Sequence, residues 1–418
     1  MSQVNMSERL KYLLGETRRV AGLTLESGET LPPGVYTSPE MYEWEVERIF
    51  KREWLCVARV DEVPATGDYL SVEVIGRSIV ITRDENGALH ALSRVCRHRF
   101  MDVLPPETTP PRGNLSRLTC PYHGWTYRLD GRYVGQLAGA PLMQGVDFDR
   151  STCRLPTFPI AEWNGFLWIN LDPDAEPLAP HLQGLTDKLG SYDFSSWITV
   201  DTMVWKSVAA NWKVALENGA ESYHHIGAHA ATLQLLMPGQ NTRVDDATGR
   251  WFTMLNPVSK QAAAGEDNGH PVLPTLLPPW PGLTPEQRSG MIVAGIFPQF
   301  LLAMTPDNAV WIRWLPTGPT THDTQISILM APESREAAGF EEARTVYRSL
   351  VSQVQAEDMV VMQGVQRGLA EAPSGRGRFS LLERPLWQFQ RYLALMLMPS
   401  EASTQQCKQS GAARSESG

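Results

Sequence analysis

The pattern of apolar and polar residues divides the chain into a part made of short strands and a later part that mixes strands with long helices. Residues 1 to about 40 predict a short polar helix and a lead-in rich in glycine and proline. From residue 41 to about 172, short apolar runs alternate with tight turns, and residues 165–171 predict a buried strand. Asn86-Gly87 and Asp130-Gly131 interrupt such runs and are typical of β-hairpin turns.

Prolines 173, 177 and 180 then indicate a linker before the second part. There the apolar pattern predicts antiparallel strands at 292–297, 300–304, 310–315 and 325–331, followed by helices at about 334–369 and 382–398. The Ser-, Gln- and Glu-rich composition after residue 400 predicts a disordered tail. The predicted division is therefore an N-terminal helix and lead-in (1–40), a strand domain (41–172), a mixed domain (173–399) and a tail (400–418).

Composition narrows the class of protein. A chain of 418 residues is long enough for two domains with cores, and its net charge of −9 argues against a nucleic-acid partner. No apolar stretch of 18 residues is present and the first residues lack a signal-peptide core, so we expect no membrane association. Three of the five cysteines show no disulfide spacing, which predicts a reduced, cytoplasmic protein.

Two short clusters each contain one cysteine and one histidine: Cys96 with His98, and Cys120 with His123, separated by 21 residues. Two thiolates and two imidazoles divided in this way fit a Rieske 2Fe–2S centre, in which the cysteines hold one iron and the histidines the other. A structural Cys₂His₂ zinc site is the alternative, but its ligands usually run Cys-Cys and then His-His. The alternating order favours the iron–sulfur cluster.

A second constellation lies at 211–229 and contains Glu217, Glu221, His224 and His229. A helix beginning near residue 210 would place Glu217, Glu221 and His224 on one face, because they are four and three residues apart. Two carboxylates and an imidazole on a partly apolar helix are costly to bury without a metal or a proton. A solvated polar face is the alternative interpretation.

A third candidate comes from the helix predicted over about 347–369. Asp358 lies within its apolar stripe, which contains Val354, Val361, Met362, Val365 and Leu369. Its neighbour Glu357 is expected to point about 100° away. A lone carboxylate that faces a core is readily explained by a metal, and a site of two histidines and one carboxylate needs such an acid from elsewhere in the fold. Glu357 remains the alternative ligand.

The flanking residues resemble one known family, the large (α) subunits of the aromatic-ring-hydroxylating Rieske non-haem iron oxygenases. The resemblance covers roughly residues 40 to 395 and is carried by these motifs: Cys96-Arg-His-Arg99, Cys120-Pro-Tyr-His-Gly-Trp125, the Glu-Asn-x-x-acid-x-Tyr-His-x₄-His pattern of 217–229, and Gln366-Arg-Gly-Leu369 after an acid. One departure is Phe100, where the family usually has glycine. The fold implied is α+β: an all-β Rieske domain followed by a helix-grip catalytic domain, an antiparallel sheet with long helices.

The resemblance also implies the roles of the site residues. His224, His229 and Asp358 would hold a mononuclear Fe(II) that activates O₂, with His225 lining the pocket or supporting a ligand. His225 competes with His224 on spacing alone, because it lies four residues before His229. In family members an acid three residues before the first histidine bridges two subunits of a head-to-tail homotrimer. Glu221 would then join His123 of one chain to His224 of the next, the alternative being a hydrogen bond within one chain.

The expected electron-transfer partners follow from two motifs that the sequence does not contain. It has no dinucleotide-binding Gly-x-Gly-x-x-Gly after a strand and no further cysteine cluster, so electrons should come from a separate NAD(P)H-dependent reductase, with or without a ferredoxin. Segments 233–237 and 292–304 are apolar and predict an apolar or aromatic small-molecule substrate. The expected reaction is N- or O-dealkylation, such as demethylation, or ring hydroxylation in the catabolism of an aromatic compound.

A Rieske protein that only transfers electrons is the alternative function. It would account for the Cys/His clusters but would leave His224, His229 and Asp358 without a role.

Overall fold

The computed structural model of the chain describes residues 6–398 except 138–142, 144, 247–248 and 373–375, and the predicted tail therefore lies outside it. Within the described residues, a helical N-terminal segment is followed by a β-rich domain and then by a domain with a large sheet and long helices. The helices of this part are, in chain order, α1 Glu8–Ala21, α2 Gly34–Thr37, α3 Pro39–Glu45, α4 Leu178–Leu189, α5 Trp212–Gly219, α6 Leu233–Leu236, α7 Pro285–Arg288, α8 Phe340–Glu371 and α9 Arg384–Leu397.

The N-terminal segment is tied to the C-terminal end of the described chain. Ser7 caps α1, and leucines 10, 13 and 14 form its buried stripe, which packs against α9. The prediction of strands and turns from residue 41 onward is wrong for its first ten residues. Ser38 accepts a hydrogen bond from the Met41 N–H and begins α3, and a π-helix follows at Val46–Phe50.

The first domain is entirely antiparallel in its strand pairing. Its strands form the sheets β5-β2-β3-β4-β9, β6-β7-β8 and β1-β11-β10 within the described residues. The two hairpins predicted at 86–87 and 130–131 are confirmed as β3–β4 and β7–β8, and the buried strand at 165–171 as β11. The bounds are β1 Leu55–Arg59, β2 Asp68–Val74, β3 Arg77–Arg83, β4 Leu89–Ser93, β5 Arg112–Asn114, β6 Leu118–Thr119, β7 Trp125–Tyr127, β8 Tyr133–Gln136, β9 Thr157–Phe158, β10 Ile160–Trp163 and β11 Phe166–Ile169.

The second domain is built on an antiparallel sheet whose strand order, in the described chain, is β12-β20-β19-β18-β17-β14-β13. α8 packs on β12 and α5 packs on β19 and on α8, so the helices lie against the sheet as the helix-grip prediction requires. The four predicted strands and both predicted helices are present. The bounds are β12 Ile198–Val208, β13 Arg243–Val244, β14 Trp251–Pro257, β15 Glu266–Asp267, β16 His270–Pro271, β17 Gly290–Ile296, β18 Phe300–Met304, β19 Ala309–Gly318 and β20 Thr321–Met330.

Across the residues described above, no helix has both the length and the apolar character needed to span a membrane.

Candidate metal centres

The two Cys/His clusters lie in two loops of similar construction. Cys96 and His98 follow β4, and Cys120 and His123 connect β6 to β7. In each loop the cysteine N–H donates to the carbonyl five residues later at 2.8 Å, and the N–H four residues later donates back to the cysteine carbonyl at 3.0–3.1 Å. These local hydrogen bonds fold each Cys-x-His or Cys-x-x-His segment into a tight loop. The two loops lie side by side, so all four side chains are close together.

The side chains of these loops fit a two-iron cluster. Cys96 and Cys120 are buried free thiols, and the rings of His98 and His123 are 4.5 Å apart between centroids. His98 Nδ1 is buried and has no hydrogen-bond partner among the described residues. An unpartnered buried ring nitrogen is costly unless it binds something, and iron ligation satisfies it. The donor set of two sulfurs and two nitrogens is the one that a Rieske cluster requires.

Two aromatic residues surround this site. The Tyr127 hydroxyl lies 3.2 Å from Cys96 Sγ and accepts a hydrogen bond from the Arg97 N–H at 3.1 Å. Burial, followed by the contact with Cys96, raises the pKa of Tyr127, so the phenol remains protonated. A protonated hydroxyl at this distance can donate to a cysteine thiolate, and hydrogen bonds to cluster sulfurs tune the reduction potential. Trp125 stacks on the His98 ring at 4.9 Å, with the two planes 5° apart, which fixes the orientation of the imidazole.

The second site brings together His224, His229 and Asp358, whose ligand atoms all lie within 4.8 Å of one another. Asp358 Oδ1 is 3.6 Å from His224 Nε2 and 3.1 Å from His229 Nε2. The same Oδ1 is buried, and no described residue gives it a well-directed hydrogen bond. Two ligand atoms each about 2.1 Å from one ion, at an angle of about 90–120°, are about 3.0–3.6 Å apart, so both distances suit ligands of one shared metal.

The local structure around His224 differs from the predicted continuous helix. α5 begins with Asn211 as its N-cap and ends at Gly219, and His224 is carried by a separate 3₁₀-helix, Tyr223–Ile226. The prediction that Glu217, Glu221 and His224 share one helical face is therefore wrong. Glu217 belongs to α5, where its Oε1 accepts a hydrogen bond from the Tyr36 hydroxyl at 2.7 Å. Because α5 ends at Gly219 and the chain turns there, Glu217 stays on α5 and only Glu221 lies beside His224.

Each histidine of the triad has a carboxylate on its far side. Glu221 Oε1 lies 2.6 Å from His224 Nδ1, and Glu357 Oε2 lies 2.7 Å from His229 Nδ1. With Nδ1–H donating to these acids, both Nε2 lone pairs face Asp358, which is the arrangement that metal-binding imidazoles usually have. Burial lowers the pKa of His229, but the neighbouring carboxylates of Asp358 and Glu357 outweigh it and raise that pKa.

Glu357 is the functional residue whose place the sequence analysis missed. It was expected to point away from the site or to replace Asp358, whereas it contacts the other nitrogen of His229 and accepts a hydrogen bond from the Thr232 hydroxyl at 2.7 Å. The sequence contains the information needed to predict this contact between Glu357 and His229. Adjacent acids on a helix diverge by about 100°, and an imidazole has nitrogens on two edges, so both acids can contact one histidine.

His225 is close to the triad but not part of it. Its ring centroid is 5.2 Å from that of His224, and its Nδ1 is 3.1 Å from the Met237 carbonyl oxygen. Burial, with a further effect from His224, lowers the pKa of His225 to about 4, so the ring is neutral and donates to that carbonyl. His225 therefore joins the 3₁₀-helix to the segment at 233–237.

Seven arginines lie near the cluster at 94–132 and would attract an acidic electron carrier if they were free. Four of them form ion pairs, as follows: Arg94 with Glu73 and Asp102, Arg112 with Glu62, Arg128 with Glu85, and Arg132 with Asp130. Within the residues that the structure describes, Arg97, Arg99 and Arg117 are exposed and have no ion-pair partner.

Two family models match the chain. The Rieske [2Fe-2S] domain matches residues 53–159, and the ring hydroxylating alpha subunit (catalytic domain) matches residues 187–398. These matches lie within the two domains that the sequence predicts at 41–172 and 173–399.

Similar proteins of known name include mono- and dioxygenases. The glycine betaine monooxygenase oxygenase subunit of Chromohalobacter salexigens is 32% identical over 59% of this chain and 53% of that protein. The carnitine monooxygenase oxygenase subunit of Escherichia coli is 34% identical over 48% and 52%, and the anthranilate 1,2-dioxygenase large subunit of Acinetobacter baylyi is 30% identical over 58% and 53%. The chain thus spans about half the length of the curated relatives it matches.

Solved structures share the fold of this chain. A crystal structure of a quaternary ammonium Rieske monooxygenase in complex with an inhibitor has a TM-score of 0.76 at 22% identity, and covers 91% of this chain and 98% of that one. Naphthalene 1,2-dioxygenase from a Rhodococcus species, bound to indole, has a TM-score of 0.76 at 22% identity over 94% and 98%. The predicted fold class, an all-β Rieske domain followed by a helix-grip domain, is confirmed.

Proposed function

Because the chain belongs to the family of ring-hydroxylating α subunits with a Rieske [2Fe–2S] domain, we propose that it is the terminal oxygenase component of a multicomponent Rieske oxygenase. Membership confirms the resemblance carried by the sequence motifs, and with it the cofactors, a Rieske cluster and a mononuclear iron. The proposed co-substrate is O₂. The observation that carries the proposal is the buried Oδ1 of Asp358, which lies between two imidazole nitrogens and has no hydrogen bond of good geometry.

In this proposal Cys96, His98, Cys120 and His123 hold the cluster, and His224, His229 and Asp358 hold Fe(II). When bound, the cluster supplies electrons and the iron activates O₂. In a monooxygenation, O₂, two electrons and two protons give one C–OH group on the substrate and one water. In a ring dihydroxylation the same reactants place both oxygen atoms on the substrate and no water is formed. Glu221 and Glu357 keep the Nδ1–H of each iron histidine hydrogen-bonded, so that both Nε2 atoms remain free to bind metal.

The substrate class is a small molecule that is hydroxylated either at an N- or O-alkyl carbon or on a ring. Hydroxylation of an N- or O-methyl carbon gives a hemiaminal or hemiacetal that collapses, so dealkylation and ring hydroxylation share a first step. The relatives named as glycine betaine and carnitine monooxygenases support the dealkylation branch, as does Glu221, where many ring-dihydroxylating members have Asp.

The apolar segments predicted to line the pocket have different surroundings. Segment 233–237 packs in a small apolar cluster beside the iron histidines, with Met237 accepting the hydrogen bond of His225. Segment 292–304 alternates between two cores: Val293 and Leu301 face the core that contains Trp212, and Phe300 faces the core that contains Trp168. Contact with the substrate is therefore better supported for 233–237 than for 292–304.

The test of this function is product formation with isotopically labelled O₂ and a surrogate reductase, using a panel of N-methyl, O-methyl and aromatic compounds. We expect label in a hydroxylated product, or release of formaldehyde from an N- or O-methyl compound, and only when both reductant and O₂ are present. A protein that is reduced and reoxidised reversibly without product from any compound would instead be an electron-transfer Rieske protein.

We also propose that the chain assembles head to tail as a homotrimer, with Glu221 joining His123 of one subunit to His224 of the next. Glu221 already contacts His224 through both carboxylate oxygens, since Oε2 accepts the His224 N–H at 3.0 Å. Its side chain is largely buried but lies beside the exposed turn Tyr223–Ile226. The separate reductase, with or without a ferredoxin, would reduce the cluster from outside this assembly.

Glu221→Gln tests the bridge. A neutral amide still forms hydrogen bonds but no longer favours polarised histidines, so we expect both metal sites to be occupied while electron passage from cluster to iron slows. The measurement is the reoxidation of a chemically reduced cluster after O₂ and substrate are added. Glu357→Gln, measured with enough Fe(II) to fill its mononuclear site, is the matched control, because it removes the same kind of contact from His229 but lies outside the bridge. Normal reoxidation in Glu221→Gln, or a monomeric protein with full activity, would contradict the bridge.

A further inference from the structure

Phe100 occupies a backbone conformation for which the matching loop uses glycine. Phe100 and Gly124 each lie four residues after a cluster cysteine and donate their N–H to its carbonyl. Both have positive φ, +60° for Phe100 and +72° for Gly124. The left-handed region is accessible to glycine but strained for a residue with a Cβ, and a bulky side chain there is uncommon. The loop geometry therefore calls for glycine at both positions.

Packing within the chain does not explain the phenylalanine. Its side chain is 76% exposed, so folding of one chain gains little from burying the ring. A strained residue that persists without a local benefit points to a function outside its own chain.

The residues around Phe100 have the composition of an interface. Tyr122 is 54% exposed and packs on the His123 ring at 3.7 Å between centroids. The Arg99 guanidinium lies 5.5 Å from the centre of the Tyr122 ring. Among the described residues neither Arg97 nor Arg99 has an ion-pair partner. Aromatic residues and arginine are enriched at the centres of protein interfaces, so these residues form an unpaired, positively charged aromatic surface beside the cluster histidines.

A surface of opposite character lies at the iron site of the same chain. The 3₁₀-helix that carries His224 exposes Tyr223 (52%) and Ile226 (63%). The partly buried carboxylates of Glu221 and Glu357 lie beside it, in contact with the iron histidines. Apolar residues flanked by acids complement an aromatic surface flanked by arginines. Because the two surfaces are on one chain, their pairing is heterologous and closes into a ring when the rotation allows it.

We propose that Phe100 is an interface residue that packs on the Tyr223–Ile226 turn of a second copy of this chain. This inference rests on the head-to-tail assembly proposed above and names the contact that holds the cluster loop against the neighbouring iron site. Arg97 and Arg99 lie beside the acids of the neighbour, and the two cluster histidines then face its Glu221.

The experiment compares Phe100→Gly, Phe100→Ala and Tyr12→Ala, the last being an exposed aromatic residue on α1 that belongs to neither surface. Sedimentation over a range of concentrations measures assembly, and single-turnover reoxidation of the reduced cluster measures electron passage. We expect both Phe100 variants to dissociate at concentrations at least tenfold higher than wild type. At concentrations where a variant is dissociated its reduced cluster should be reoxidised slowly, and at concentrations where it is assembled the cluster should be reoxidised at the normal rate. Tyr12→Ala should match wild type.

The glycine variant separates an interface role from a structural one. Phe100→Gly removes the backbone strain together with the ring, so its cluster absorption should be unchanged and its melting temperature no lower than that of wild type. Unchanged assembly and reoxidation in both variants, with a trimeric wild type, would overturn this inference alone. A defect confined to reduction of the cluster by the reductase would also overturn this inference, because the electron donor, and not a second copy of the chain, would then bind the surface around Phe100. A monomeric, fully active wild type would overturn the assembly as well.

Discussion

The two metal centres of this molecule are built in different ways. The four proposed cluster ligands lie on two neighbouring loops, each closed by hydrogen bonds between its own backbone groups. The three proposed iron ligands come from the segment after α5 and from α8, which the fold brings together. The positions of the proposed ligands within each cluster loop are determined by hydrogen bonds between residues close in sequence. The positions of the proposed iron ligands are determined by the packing of α8 against the segment after α5. The comparison predicts that damage at one centre leaves the other intact.

Asp358→Ala should have the largest effect on activity and should separate the two centres. The variant loses a ligand of the mononuclear iron only, so we expect product formation to fall on the order of 10³-fold or more, as for removal of a group essential to the reaction. The visible absorption of the Rieske cluster should remain. Single-turnover product analysis and the absorption spectrum, taken on the same sample, provide the check.

Cys120→Ser is the reciprocal variant. Removing a cluster thiolate should bleach the visible spectrum and weaken the buried core around Trp125 and Tyr127. Near-normal product formation in Asp358→Ala would mean that Glu357 or another acid is the ligand, and the comparison between the two centres would fail.

The same difference explains how much the sequence could predict. The hairpins at 86–87 and 130–131 and the strands at 300–304 and 310–315 followed from local turn and alternation signals, and all are present. β12 was not predicted, because much of its length is polar and it lies at the end of the sheet order, where alternation is weak. Its place is determined by pairing with β20, which depends on tertiary structure.

Prediction failed where the site depends on the path of the chain. A helix running from residue 210 to 224 satisfied the periodicity, but α5 ends at Gly219, where a Cβ would contact Trp314 at 2.8 Å. The prediction of an apolar buried stripe on α8 is also only partly correct, because Met362 is buried but Val365 is exposed. The convergence of Asp358 with the two histidines was found through resemblance, since periodicity alone gives no information on which distant helix faces them.

Glu357→Gln should have a moderate effect. Glu357 accepts hydrogen bonds from His229 and Thr232 and orients the imidazole, and loss of such a supporting partner typically costs about 10–100-fold in metal affinity or activity. An iron titration of the protein freed of mononuclear iron measures the affinity. Thr232→Val should change it less, because the carboxylate and its contact with His229 remain. An unchanged affinity in Glu357→Gln would show that the orientation of His229 is fixed by packing alone.

Glu217→Gln should leave the metal centres intact and change the pH dependence of stability. Burial raises the pKa of Glu217 to about 7 from an ordinary value of 4.5, so the folded state holds this proton more tightly than the unfolded state. Stability therefore falls as the pH rises from about 4.5 to about 7 and levels off above. At about 1.4 kcal/mol per pKa unit, this contribution is at most about 3–4 kcal/mol.

Melting temperatures across this pH range provide the check. Glu217→Gln should flatten the decline, whereas Tyr36→Phe removes the hydrogen bond that lowers the pKa of Glu217 and should extend the decline to higher pH. Identical pH profiles in wild type and Glu217→Gln would show that Glu217 does not titrate in this range.

The existence of a mononuclear iron site separate from the cluster is tested most directly by the iron and acid-labile sulfide content of wild type and Asp358→Ala. A Rieske cluster contributes two irons and two sulfides, and a site of two histidines and one carboxylate contributes one more iron. We predict about three irons and two sulfides per chain in wild type, and about two irons and two sulfides in Asp358→Ala. About two irons in the fully loaded wild type, with no loss in the variant, would contradict the account.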